Sequence, residues 1–302
     1  MTPFTWSWSR HQTMAACLRR YGYDYYLARG GRGVHASPTA VLLRQLKGLQ
    51  TRPQWLGLLV HGAAERSLQA ARRGRPVDAA ELRADVRAEA AAHIAAARAG
   101  GAPGFVELTY DGDPGDAAWA ATLAELDELL QRLLAHPLLT RLLAVPERIV
   151  EVEALHRFTL AGQAVAASPD VVVRDGAGGF VVIDWKSGRD VTPEPYATQL
   201  TLYALNAADR LRAPLDRVTA YVASVRDGRF YRVEVGPDQV AAATHLVATS
   251  AAAMRALLPD PARDVAPITA FPARPSGDPA CDGCRYRRAC WPKPDNFSPH
   301  LV

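Results

Sequence analysis

The chain has 302 residues, with 35 basic and 31 acidic side chains, a formal net charge of +4 and 49% hydrophobic residues. This composition excludes a disordered chain, and no apolar run approaches the ~18–20 residues that a membrane span needs. A charge of +4 does not by itself indicate nucleic acid. The start, Met1-Thr2-Pro3, lacks the basic and apolar regions of a signal peptide, so a soluble, cytoplasmic protein with no membrane association is expected. Two usages stand out. Lys47, Lys186 and Lys293 are the only lysines, and of the four cysteines Cys17 is early while Cys281, Cys284 and Cys290 cluster late. In a reducing compartment such clustering points to metal before cystine.

In chain order, Trp6-Ser7-Trp8-Ser9 reads as a turn feeding a helix, with Ser7 or Ser9 as N-cap, that carries Cys17 and stops near Gly22. Tyr21, Tyr23, Tyr25 and Tyr26 follow, and packing of the helix end outweighs base stacking as their role. A helix is expected from Gln54 to Arg73, ending at Gly74, with Leu58, His61, Glu65 and Leu68 on one face. Asp78 caps an Ala-rich helix that ends at Gly100-Gly101. Another begins near Asp116 and stops before Pro137, with Leu123, Leu126, Leu130 and Leu133 as its stripe. Residues 54–145 thus form a helical block. The pattern turns β-rich near Arg148: runs at 148–155, 157–160, 169–173, 180–185, 217–225 and 229–235 are expected strands. Helices at 194–211 and 237–258 accompany them. Pro259, Pro261, Pro267, Pro272, Pro275 and Pro279 then mark an extended segment leading to the late cysteines.

The chemistry concentrates at one hairpin. With a turn at Arg174–Gly179, facing residues sum to 353, so Asp170 lies opposite Ile183 and beside Asp184; Lys186 shares the Asp184 face. Two acids and a lysine around one point suit a divalent cation and phosphoryl chemistry. An isolated Asp…Asp-x-Lys is more often a surface ion cluster, so the context decides. Tyr196, Gln199, Tyr203 and Asn206 make an uncharged polar stripe on the next helix. Cys-x-x-Cys with two further thiolates fits either tetrahedral zinc or a cubane cluster.

These residues resemble a family. Pro169-Asp170, Ile183-Asp184-Trp185-Lys186-Ser187-Gly188 and Gln199-x-x-x-Tyr203 are similar to the PD-(D/E)XK nucleases of the RecB-like branch. Gly57-Leu58-Leu59-Val60-His61-Gly62 resembles that branch's Gly-x-x-x-His motif. Cys17 with Cys281-x-x-Cys284 and Cys290 resembles its iron–sulfur members, the AddB-type nuclease domains, exonuclease V-like enzymes and CRISPR-adaptation nucleases. Ala167-Ser168-Pro169-Asp170 departs from the Gly-x-x-Asp of many relatives.

The resemblance implies an α/β restriction-endonuclease-like core, a mixed central sheet flanked by helices. To this it adds a helical insertion and an iron–sulfur clasp joining the termini. It implies a single domain over 1–302, with cluster-binding ends at about 1–30 and 278–292, a helical block at 54–145 and a catalytic core at 146–258. His61, Asp170, Asp184 and the Trp185 carbonyl would hold Mg²⁺ or Mn²⁺; Lys186 would act on the nucleophilic water; Gln199 and Tyr203 would position the DNA backbone. Cys17, Cys281, Cys284 and Cys290 would hold a 4Fe–4S cluster. Arg285, Arg287 and Arg288 would contact phosphates or balance the cluster's charge. The implied function is metal-dependent hydrolysis of DNA, exonucleolytic, on single strands or ends, in repair, recombination or CRISPR adaptation. A helicase or spacer-acquisition partner is implied too; the chain has no Walker A loop of its own. The competing reading is a non-catalytic iron–sulfur DNA-binding or assembly subunit, which has no need for the complete His, Asp, Asp, Lys set.

Overall fold

A computed structural model describes residues 4–29, 31, 36–101, 104–260 and 266–291; Pro261 and Lys293 lie outside them. Among the described residues no helix is long and apolar enough to cross a membrane. The chain groups into two compact units, Met1–Arg52, Ala95–Pro114 and Thr249–Val302 in one, Pro53–Ile94 and Gly115–Ala248 in the other.

The first unit opens with a two-residue strand, β1 (Trp6–Ser7), and Ser7 caps the Trp8–Ala16 helix by accepting the Arg10 N–H at 3.2 Å. The helix expected to run on to Gly22 breaks at Cys17, whose backbone is extended (φ −164°, ψ 118°). Cys17 then caps a second helix, Leu18–Gly22, its Sγ accepting the Arg20 N–H at 3.5 Å. A π-helical turn, Tyr23–Leu27, follows. Tyr21, Tyr23 and Tyr26 are core residues, as packing required, while Tyr25 is half-buried. Tyr21 and Tyr26 hydroxyls accept from the buried Arg10 guanidinium at 3.1 and 2.7 Å, and the Phe271 ring fills the place of a Cβ at Gly22. Buried Asp24 receives both Arg285 Nη2 contacts, at 2.9 and 3.1 Å, and the Tyr286 hydroxyl at 2.7 Å. Lys47 Nζ donates to the Asp24 carbonyl at 2.6 Å. One lysine without a role in the sequence therefore has a structural one, and Arg285 is committed to protein partners rather than phosphate. The Pro38–Lys47 helix was not expected, although Ser37 capping and Pro38 in the first turn are ordinary start signals.

The second unit carries the Arg52–Arg72 helix, the start of the Ala79–Arg98 helix and the Asp116–Leu134 and Pro137–Ala144 helices. Asp78 Oδ1 caps the second by accepting from Ala80 and Glu81 at 2.8 and 3.0 Å. Of the residues expected on one face of the first, Leu68 is buried while Leu58 is exposed, because the face turns with the 3.6-residue period. Its strands are β2 (Ile149–Val152), β3 (His156–Leu160), β4 (Gln163–Ala167), β5 (Val171–Arg174), β6 (Phe180–Lys186), β7 (Val218–Ser224) and β8 (Phe230–Val233). β4 was unforeseen; it pairs antiparallel with β3 across Ala161-Gly162, both at positive φ (51° and 70°).

A five-stranded mixed sheet runs β2-β5-β6-β7-β8, antiparallel except for the parallel β6–β7 pair. The crossover between those two strands is the Ala197–Leu211 helix, which lays Leu200, Ala204 and Ala207 on Val172, Val182, Ala220 and Val222. This is the restriction-endonuclease-like architecture that the motifs implied. One detail needs correction. Val171 pairs Ile183 and Arg174 pairs Phe180, so facing residues sum to 354, not 353. Asp175 is the cause: its N–H bonds the Gly179 carbonyl at 3.1 Å and its Oδ1 accepts from Ala177 and Gly179, at 2.7 and 2.8 Å. That closes a five-residue turn and pulls Arg174 into the strand. Continuing the register sets Asp170 level with Asp184 itself.

Candidate active site

Alternation along β6 fixes which side chains meet. Val182 faces the Ala197–Leu211 helix, so Asp184 and Lys186 do too, while Ile183 and Trp185 face the other way. There the Trp185 ring packs edge-on against His136, 5.3 Å between centroids. Asp184 is 2% exposed, and Lys186 Nζ stands 2.5 Å from its Oδ2. The contact is a buried ion pair. Gln199, in the first turn of the helix, links the group: its Nε2 donates to the Tyr203 hydroxyl at 2.8 Å and to Asp184 Oδ1 at 3.5 Å. Its Oε1 accepts from Lys186 at 3.5 Å. Lys186 also lies 4.9 Å from the Tyr196 ring centre. Asn206, the last member of the expected stripe, is buried instead.

Asp170 leads into β5. Its Oδ2 accepts the Trp185 N–H at 2.6 Å and lies 3.3 Å from His61 Nδ1. His61 sits on the Arg52–Arg72 helix, which comes close to the end of β6 because Gly57 has no side chain: a Cβ there would meet Ser187 Oγ at 3.3 Å. The glycine of the Gly-x-x-x-His motif thus has a steric reason, clearance of Ser187. Sequence reasoning missed Glu153, just past β2, whose Oε1 is 3.7 Å from the same His61 nitrogen. No motif marks it. Only β2–β5 pairing, extended by the Glu153 N–H to the Asp170 carbonyl at 3.0 Å, carries it there.

Burial and neighbouring charges shift the titrating groups of the site. Burial, then the Asp170 charge, raise the Asp184 carboxyl well above the usual range, and Lys186 offsets this in part. Burial would lower the His61 imidazole, but Asp170 and Glu153 outweigh it and push it up to about 10. Burial likewise opposes the Lys186 ammonium, and Asp184 more than compensates, so its pKa is raised. The ligand atoms of His61, Glu153 and Asp170 lie within 4.8 Å of one another, the one such grouping of three or more among the described residues. An imidazole and two carboxylates whose donor atoms lie this close together fit a hard divalent cation.

The four cysteines belong to the first unit. All are free, half-buried thiols lining one cavity with Arg20 and Arg274. Arg274 straps its two walls, donating to the Ala16 carbonyl at 2.7 Å and to Asp278 at 2.9 Å. Burial pushes the Cys290 thiol up to about 11. This arrangement does not by itself specify a 4Fe–4S cluster. Arg287, expected at phosphate or cluster, lies 3.4 Å from Asp111 and over the Tyr110 ring.

The family model of the PD-(D/E)XK nuclease superfamily matches residues 5–291. No curated protein matches the chain. Among solved structures, the crystal structure of SSO0001 is 14% identical, covering 81% of this chain and 100% of its own, with a TM-score of 0.30, at which the superposition supports no inference.

Proposed function

Because the chain belongs to the PD-(D/E)XK nuclease superfamily, a family of metal-dependent nucleases, we propose that it hydrolyses DNA phosphodiester bonds at the Asp170–Asp184–Lys186 site. The reading continues with exonucleolytic action on single strands or ends, as in the RecB-like branch, in repair, recombination or CRISPR adaptation beside a separate motor or acquisition partner. The observation that carries the proposal is the convergence of Asp170, Asp184 and Lys186 from one hairpin and His61 from a distant helix onto one partly open point.

In this reading His61, Asp170, Asp184 and the Trp185 carbonyl would hold Mg²⁺ or Mn²⁺. When bound, the cation polarises the phosphate and lowers the pKa of a bound water. The chain's own residues supply the rest. Lys186, ion-paired with Asp184 at 2.5 Å, is placed to orient the attacking water and balance the charge that develops on the phosphate. Gln199 and Tyr203 present an amide and a hydroxyl to the phosphate oxygens, held to each other at 2.8 Å. Trp185 contributes twice, since its N–H fixes the Asp170 carboxylate in place.

The 4Fe–4S cluster on Cys17, Cys281, Cys284 and Cys290 is part of the same proposal. It is supported by four thiols from both ends of the chain around one cavity, with arginines beside them to balance anionic sulfur. Its role is mechanical, closing a very long loop.

The test is cleavage of end-labelled single- and double-stranded DNA in Mg²⁺, Mn²⁺ or chelator by wild type and Asp184→Asn. The proposal expects cleavage with either cation by wild type alone. Cleavage that survives Asp184→Asn refutes the site. Brown protein with broad visible absorption, lost in Cys284→Ser, is expected of the cluster; a colourless anaerobic preparation containing zinc overturns it.

A further inference from the structure

Glu153 has no part in the ligand set above, yet its carboxylate faces the same imidazole nitrogen as Asp170. The two carboxylates stand 3.7 and 3.3 Å from His61 Nδ1, and all three groups fall within the 4.8 Å grouping. Neighbouring donors around an octahedral cation with bonds of about 2.1 Å are about 3.0 Å apart, and opposite donors about 4.2 Å. Both separations from His61 lie inside that span. Asp184 stands beside this grouping, with Lys186 2.5 Å from its Oδ2 and Gln199 3.5 Å from its Oδ1. Glu153 has His61 as its one direct side-chain partner among the described residues.

The backbone points the same way. Glu153 adopts φ +50°, a left-handed conformation that an L side chain enters against steric resistance and glycine enters freely. Its N–H, bonded to the Asp170 carbonyl, holds it in register with the site. Glycine would enter this turn more freely, and Glu153 instead holds a carboxylate there, 3.7 Å from His61.

We propose that Glu153 is a direct ligand of the divalent cation, closing a three-donor face with His61 and Asp170. This rests on the metal-site reading under Proposed function and adds a ligand that the motifs do not contain. It makes the end of β2, and not only the β5–β6 hairpin, part of the metal centre.

The experiment is Mn²⁺ binding to the full-length, chelator-stripped protein, followed by the electron paramagnetic resonance of free Mn²⁺ and by calorimetry. Thermal unfolding without metal is measured alongside. Wild type is compared with Glu153→Gln and Glu153→Gly. Both variants are expected to bind Mn²⁺ at least tenfold more weakly, while Glu153→Gly unfolds at the wild-type temperature or higher because the strained φ is relieved. Folded variants that bind Mn²⁺ with wild-type affinity overturn the role of Glu153 and leave the metal-site reading intact. A wild type that binds no Mn²⁺ overturns both. The pairing of weaker binding with undiminished stability separates a ligand from a structural turn residue.

Discussion

Lys186→Met removes one charge from the centre of the site while keeping most of the side-chain volume. In the native site the ammonium is 20% exposed and 2.5 Å from a carboxylate that is 2% exposed. Removing one partner of a buried pair costs about 3–5 kcal/mol when the other charge is left uncompensated. Asp184 has an escape, because burial and Asp170 already raise its pKa and it takes up a proton instead. The loss therefore sits near the lower end, about 3 kcal/mol, or about 6–12 °C in Tm at 2–4 °C per kcal/mol. Proton uptake is easier in acid, so the destabilisation is larger at pH 8 than at pH 5. Cleavage falls further than stability: losing a group that orients the water and balances charge lowers the rate about 10²–10³-fold. Thermal unfolding in chelator at the two pH values, with single-turnover cleavage of labelled single-stranded DNA at 20 °C, measures both. A folded Lys186→Met protein that cleaves within threefold of wild type refutes the assigned role. Equal destabilisation at pH 5 and pH 8 refutes the electrostatic account of the pair.

Gly57→Val places branched carbons against Ser187 and moves the His61 helix off the end of β6; Mn²⁺ affinity is expected to fall about tenfold with far-UV circular dichroism unchanged, and unaltered affinity counts against the steric origin of the motif. In chelator, stability should decline as pH rises from about 4 to about 7. The Asp184 carboxyl is raised from 3.8 to about 7 on folding, so its favourable term is complete below the unfolded pKa and lost through the folded one. Asp184→Asn should flatten that part of the Tm–pH curve, and a curve of unchanged slope contradicts it. Exposed Arg73 and Arg75 line a groove of about 440 Å³ with Glu65, Arg66 and Gln69 on the helix that bears His61. Arg73→Glu with Arg75→Glu should weaken single-stranded DNA binding in Ca²⁺ and reduce the salt slope by about 0.7 per lost phosphate contact. An unchanged slope removes this groove from the DNA path.

Much of this protein was legible before folding. Helices announced themselves through caps and stops that act within a few residues, as at Ser7, Asp78 and Gly74. Strand alternation put Asp184 and Lys186 on one face, and the spacing of Gln199 and Tyr203 put both on one side of the next helix. These relations depend on chain geometry over short separations, which local sequence determines. Even there, Asp175 moved the hairpin register by one residue through side-chain hydrogen bonds that strand periodicity does not encode.

What tertiary structure alone decided involves partners far apart in the chain. Lys47 under the Asp24 carbonyl, Arg285 on the Asp24 carboxylate and Cys17 in the cavity with Cys281, Cys284 and Cys290 are contacts across 23 to more than 260 residues. Glu153 is the clearest case. Neither its neighbours nor its spacing distinguish it from other surface glutamates, and it enters the site through pairing of β2 with β5 and a left-handed φ. A charged group's role is set by the charges that the fold brings to it, because electrostatic energy varies with distance and burial and not with position along the chain.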